Sequence, residues 1–155
     1  MPQKKNTHPD SKTLAEAARV CACLNFRKAA RAVTQLFDAM LQPSGLRSTQ
    51  FVILVAIGAE GRPTLPALSR ALNVDRTTLT RNLKPLAREG LLRVNGARGE
   101  RASAARLTHK GERVLAATVP LWEKAQKRFV DQFGGQRWPT MLEDLNRVVE
   151  AAHGA

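Results

Sequence analysis

A chain of 155 residues with 43% hydrophobic side chains is long enough to bury a core of its own. It has no apolar run of roughly 18 residues, which excludes a membrane-spanning helix, and its two cysteines, two residues apart, build no disulfide framework, which points to the cytoplasm. The formal charge of +12 and the pI near 11.0 favour a polyanionic partner, because a cationic surface releases condensed counterions when it meets nucleic acid.

The opening MPQKKNTHPDSK is basic and has no apolar h-region, so no secretory signal is expected. We expect a disordered tail over 1–12 and a single domain over 13–155. From Lys12 to Leu41 the chain contains neither Gly nor Pro and is rich in Ala, Leu, Arg and Lys. Phe26, Ala29, Ala30, Val33, Leu36, Phe37, Met40 and Leu41 recur at helical spacing, while Leu14, Ala17, Ala18 and Cys21 follow the same period at a shifted phase. The pattern predicts one long helix, or two pieces with a break near Cys21 to Leu24. After the loop QPSG, Ser48 or Thr49 is expected to cap a helix in which Phe51, Val52, Leu54, Val55 and Ile57 make a nearly all-apolar, buried element.

Thr64 to Leu92 carries the strongest signal. Thr64 can cap a short helix that tolerates Pro66 in its first turn and places Leu65, Leu68 and Leu72 on one face. Asn73 suits a left-handed turn and Val74 a plug between two helices. Asp75 can cap the second helix, which Gly90 ends. In that helix Leu79, Leu83 and Leu86 form a core stripe, while Thr77, Arg81, Lys84 and Arg88 point the other way without a carboxylate among them. The pair is expected to be a helix-turn-helix whose second helix enters a major groove of double-stranded DNA. Residues 62–113 hold twelve Lys and Arg against four Asp and Glu, a net +8 of the chain's +12.

Leu91, Leu92 and Val94, then the Gly-rich NGARGERASAA, then Arg106, Leu107 and Thr108 predict a β-hairpin, with Arg98 and Arg101 at its tip for an adjacent minor groove. Thr108 can cap a helix that runs to Phe133, with Pro120 kinking it or marking a junction. A last helix over Trp138 to Ala152 carries Met141, Leu142, Leu145, Val148 and Val149 on one face. The expected fold is mainly α with a small β-hairpin wing. A DNA-binding module over about 46–108 is flanked by dimerisation helices over about 13–41 and 109–152. A two-fold dimer would set two recognition helices roughly 34 Å apart, one turn of DNA.

This order, with GLRSTQFVILVAI, LSRALNVDRTTLTRNLKPLAREGLL and RLTHKG, resembles the MarR family of bacterial winged helix-turn-helix regulators over about residues 14–150. The resemblance implies a homodimer, a pseudo-palindromic operator, and control by a small anion, an aromatic compound or a thiol oxidant. Carried across, the contacts of the recognition helix are Arg76, Thr77, Thr78, Thr80 and Arg81, with Lys84 on phosphate and Arg101 as the wing arginine. The family wing pairs an acid with that arginine as Asp-x-Arg, whereas here the acidic position is Gly99 and the neighbouring Glu100 would point to the opposite face of a strand.

Cys21 and Cys23 allow two readings. In an intact helix they lie about 200° apart and cannot bridge, leaving small apolar fillers. At a helix N-terminus, dipole and unbonded amides favour reactive thiols and oxidant sensing. No metal site is expected, since His8, His109 and His153 show no ligand spacing, and no cofactor is expected either. Phe37, Phe51 and Trp122 are candidates for an effector pocket between dimer helices and winged helix, or simply core. No phosphate loop, nucleophile elbow or HExxH motif is present, so an enzyme is not expected beyond a thiol catalyst at the cysteines. A sequence-nonspecific architectural protein is the other rival. It would favour apolar wedges in the minor groove over Thr and Arg facing major-groove edges.

Overall fold

In a computed structural model, residues 9–95 and 103–154 are described. The helices are α1 (Ser11–Val20), α2 (Ala22–Leu41), α3 (Ser48–Glu60), α4 (Leu65–Ala71), α5 (Arg76–Arg88), α6 (His109–Phe133) and α7 (Trp138–His153). A two-stranded antiparallel hairpin, β1 (Leu92–Asn95) and β2 (Ala104–Leu107), separates α5 from α6. Among the described residues no helix is long and apolar enough to cross a membrane.

The chain forms two compact units, one ending at Leu36 and one beginning at Phe37. In the first, Asp10 caps α1 by accepting the Thr13 amide at 2.7 Å, and Glu16 grips Arg19. The predicted break falls at Cys21, whose backbone is extended (φ −61°, ψ 112°). Asn25 fixes it, since its side-chain amide donates to the carbonyls of Arg19 and Cys21. Residues 11–32 are all exposed, Leu14 and Phe26 included.

The second unit holds the core: Leu46, Ile53, Leu54 and Ile57 of the α3 region, Leu68 of α4, Leu79, Leu83 and Leu86 of α5, and Leu91, Leu92 and Ala105 of the hairpin. Here α3 departs from expectation in two ways. Its cap residue is Arg47, and the Ser48 hydroxyl instead donates to Asp38, which also accepts the Ser48 amide. This answers an amide that has no partner inside the helix. These bonds hold the Asp38 carboxyl below its usual range, the Ser48 hydroxyl contributing most. Moreover, Val52 and Val55 are 49% and 39% exposed, because Phe51, Ile53, Leu54 and Ile57 take the core side of the helix. Only one side of α3 is core.

Strand β2 begins at Ala104, earlier than the apolar run at Arg106 suggests. The Ala105 amide donates to Pro63 and the Leu65 amide to Ser103, so backbone pairing to the loop before α4 extends the strand where hydropathy gives no sign. Helix α6 continues through Pro120 with no junction. Pro120 is exposed, so water can solvate the carbonyl its missing N–H leaves free. Helix α5 likewise runs through Pro85.

The start of α6 clasps the end of α5. Gly90 turns the chain with φ +72°, and the Leu91 amide returns to the Leu86 carbonyl. Lys110 Nζ donates to the Glu89 carbonyl at 2.7 Å and Thr108 Oγ1 to that of Gly90 at 2.6 Å, while Thr108 Oγ1 also accepts the Gly111 amide. A Cβ at Gly111 would lie 1.9 Å from the Leu91 carbonyl oxygen. Gly111→Ala is therefore expected to destabilise the protein by about 2 kcal/mol or more. Leu86→Ala, which opens a cavity at a fully buried site, should cost roughly 2 to 5 kcal/mol. Denaturant melts of the two variants check both, and an unchanged midpoint for Gly111→Ala would remove the clasp.

Candidate nucleic-acid interface

The helix-turn-helix is closed by local bonds. Thr64 accepts the Ala67 amide to start α4, as its sequence suggests. At the other end Asn73 adopts φ +49°, the left-handed conformation that Asn tolerates better than most side chains. The Val74 amide donates to Ser69, the Ser69 hydroxyl donates to the Val74 carbonyl, and the Val74 side chain packs against the core. The turn is thus fixed at both its backbone and its side chains.

Helix α5 begins at Asp75, whose Oδ1 accepts the Thr78 amide at 2.8 Å and whose Oδ2 accepts the Thr78 hydroxyl at 2.7 Å. Those two bonds, the hydroxyl first, hold the Asp75 carboxyl below its usual value of 3.8. With Leu79, Leu83 and Leu86 buried, the opposite face is forced into solvent, and Arg76, Thr77, Thr80, Arg81, Lys84 and Arg88 are all exposed. Arg81, Lys84 and Arg88 border one shallow hollow. Such a face offers guanidinium donors for guanine edges and an ammonium for phosphate.

The hydroxyls divide. Thr78 is engaged with the Asp75 cap, and Thr80 donates to the Arg76 carbonyl at 2.8 Å. The side chains of Arg76, Thr77, Arg81 and Lys84 make no hydrogen bond or ion pair with a described residue. Arg98 and Arg101, the wing-tip expectations, lie outside the described residues, as do Gly99 and Glu100. Sequence reasoning passed over the cross-strand pair Arg93 and Arg106 and the clasp residue Lys110. The alternation in LRVN and AARL marks the first, and nothing local marks the second.

Elsewhere, Phe51 stacks on Trp122 with ring centroids 6.1 Å apart, while Phe37 is half-buried. Phe51 is 4% exposed, and a groove of about 980 Å³ beside α3 is lined by other residues. Cys21 and Cys23 are free and exposed, one at the break and one in the first turn of α2. Among the described residues no three His, Cys, Asp or Glu side chains cluster as metal ligands.

The sequence profile of the MarR family matches residues 46–95. The fold is similar to the M. tuberculosis transcriptional regulator MosR at 37% identity, covering 90% of this chain and 100% of that one with a TM-score of 0.77. A second MosR structure, in complex with DNA, gives 39% identity, coverage of 86% and 97%, and a TM-score of 0.79. The PcaV transcriptional regulator from Streptomyces coelicolor, in complex with its natural ligand, shares the fold at 23% identity, with coverage of 87% and 96% and a TM-score of 0.76. No curated protein matches the sequence.

A lowered folded pKa means that the Asp75 charge stabilises α5 above about pH 3.8, and that this contribution fades as pH falls through the folded value. The difference in thermal midpoint between wild type and Asp75→Asn should accordingly be constant at neutral pH and shrink in acid below 3.8. A gap that widens in acid would contradict the cap.

Proposed function

This chain belongs to the MarR family of DNA-binding transcriptional regulators, and we propose that it is a repressor that binds a pseudo-palindromic operator as a homodimer and is released by thiol oxidation or a small ligand. The observation that carries this reading is the α5 face, where the side chains of Arg76, Thr77, Arg81 and Lys84 stand exposed, without partners among the described residues, over a buried leucine stripe. Arg76, Thr77 and Arg81 address base edges, Thr78 and Thr80 accept from adenine or cytosine amino groups with the oxygen lone pairs they keep, and Lys84 neutralises phosphate. Arg98 and Arg101 extend the contact to the minor groove. The MosR complex with DNA supports this use of the fold.

Dimerisation is supported by apolar surface that this chain leaves uncovered. Leu142, Leu145, Val148 and Val149 of α7 are each between 36% and 44% exposed, and no residue of α7 is buried. Two such faces meeting would remove them from water and give the reader the two-fold symmetry of a palindrome. A dimer seated on an operator blocks other proteins from that DNA, which is repression in its simplest form.

For release, the helix break supports the thiol route. Because Cys21 is extended rather than helical, Cys21 and Cys23 escape the helical spacing that would keep their sulfurs on opposite sides. Oxidation by a peroxide joins the two sulfurs, within a chain or between chains, and passes two electrons and two protons to the peroxide as water. The ligand-bound PcaV structure supports the small-molecule route on the same fold, and Phe37, Phe51 and Trp122 are its proposed surroundings.

Genomic DNA fragments selected on the purified protein supply the operator for the tests. Arg81→Ala is expected to abolish operator preference, weakening specific binding about tenfold or more, while leaving the dimer intact. Lys84→Ala should weaken all duplexes alike and reduce the salt dependence by about one phosphate contact. Gel-shift titrations at several salt concentrations, with light scattering for the dimer, measure both, and unchanged operator affinity in Arg81→Ala sinks the assigned face. Peroxide should release wild type from operator and leave Cys21→Ser bound. Equal release of both excludes the thiol route.

A further inference from the structure

The three hydroxyls of α5, on Thr77, Thr78 and Thr80, differ in what they can offer a base. A hydroxyl carries one hydrogen to donate and two lone pairs with which to accept. The Thr78 hydrogen is directed at Asp75 Oδ2, 2.7 Å away, and the Thr80 hydrogen at the Arg76 carbonyl oxygen, 2.8 Å away. Chemistry fixes both directions, because an ionised carboxylate and a main-chain carbonyl can only accept. The Asp75 carboxyl is held below its usual value of 3.8 by the Thr78 hydroxyl and amide, so it is ionised at neutral pH. The Thr77 side chain has no such partner among the described residues, and its hydroxyl is free to donate or accept.

Polarity is therefore divided along the helix. Arg76 and Arg81 bring donors only, Thr78 and Thr80 bring lone pairs only, and Thr77 serves either way. In the major groove adenine and cytosine present an amino donor, whereas guanine presents O6 and N7 and thymine presents O4, all acceptors. A committed hydroxyl set against guanine or thymine meets lone pairs with lone pairs. Thr78 and Thr80 differ in what imposes the commitment. For Thr80 it is backbone, which no side-chain substitution alters. For Thr78 it is the N-cap side chain, and a single substitution inverts it. Asn caps a helix about as well as Asp, and its Oδ1 can still accept the Thr78 amide while its nitrogen stands in place of Oδ2. That nitrogen donates to Thr78 Oγ1 and turns the hydroxyl hydrogen outward.

We propose that Asp75 is a specificity-determining positioning residue, which acts through Thr78 by holding that hydroxyl as a pure acceptor. One operator position in each half-site must then present adenine N6 or cytosine N4 to it. The inference rests on the reading of α5 as the DNA-contacting helix, and adds that the cap of the helix takes part in base choice without touching a base.

The test selects bound duplexes from a randomised pool with full-length wild type, Thr78→Val, Thr80→Val and Asp75→Asn in parallel. Val keeps the shape of Thr and removes the hydroxyl, so the position read by Thr78 is the one whose preference Thr78→Val erases. Wild type should favour adenine or cytosine there, about two- to tenfold over guanine or thymine in direct titration. Asp75→Asn should move that preference to guanine or thymine and leave the position read by Thr80 unchanged. Lost helix stability alone would weaken every sequence alike and would not produce such a switch. Circular dichroism melts confirm that the variants fold. A further arm leaves the protein unaltered: purine replaces adenine, or 2-pyrimidinone replaces cytosine, at one operator position at a time, which removes the amino group. Wild type should lose about two- to tenfold in affinity at the position read by Thr78. The proposal is overturned if removal of the amino group has no effect at any position, if Thr78→Val alters no preference, if wild type prefers guanine or thymine at the Thr78 position, or if Asp75→Asn leaves that preference as it was. Each of these leaves the DNA reading in place. If wild type enriches no sequence at all, the reading of α5 falls and this inference falls with it.

Discussion

Where α5 ends and α6 begins, the Leu91 carbonyl oxygen comes so close to Gly111 that a Cβ would sit 1.9 Å away. Around that contact Thr108 and Lys110 take up the carbonyls of Gly90 and Glu89, which a helix end leaves without partners. The arrangement ties the end of α5 to the first turn of α6. The leucine stripe fixes the inner side of α5 and the clasp fixes its end.

The two sides of α3 divide the labour of the second unit. Phe51, Ile53, Leu54 and Ile57 face the core, with Phe51 closing on Trp122, while Val52 and Val55 remain in solvent. An all-apolar helix is usually buried all round. Here Gly58 lets β2 and α6 approach one edge of α3 closely, and the space beyond that edge stays open. The guanidinium pair at its mouth supplies the charge that a purely packed surface would lack.

Charge and capping use the same residues for different ends. Asp75 spends its carboxylate on the Thr78 amide and hydroxyl, so the acid nearest the basic face is engaged by helix donors and does not pair with Arg76 or Arg81. That leaves the cations available to an outside anion. In the first unit Asn25 performs a comparable service at the helix break, holding two carbonyls so that Cys21 can stay extended.

The sequence alone determined the elements whose cause is local. Thr64, Asp75 and Thr108 as caps, Asn73 as the left-handed turn, the leucine stripe of α5 and the break near Cys21 all depend on residues within a few positions of one another. Periodicity and capping chemistry read such neighbours directly. The basic outer face of α5 was legible for the same reason, since a stripe that must be buried decides what faces out. Only the tertiary structure decided which side of α3 is core, where β2 begins, that Ser48 serves Asp38, and that Lys110 holds a carbonyl 21 residues earlier. It also brought Arg93 to Arg106 and opened a groove beside them. Each of these rests on residues distant in sequence, whose meeting depends on how whole elements pack, and no spacing along the chain encodes that.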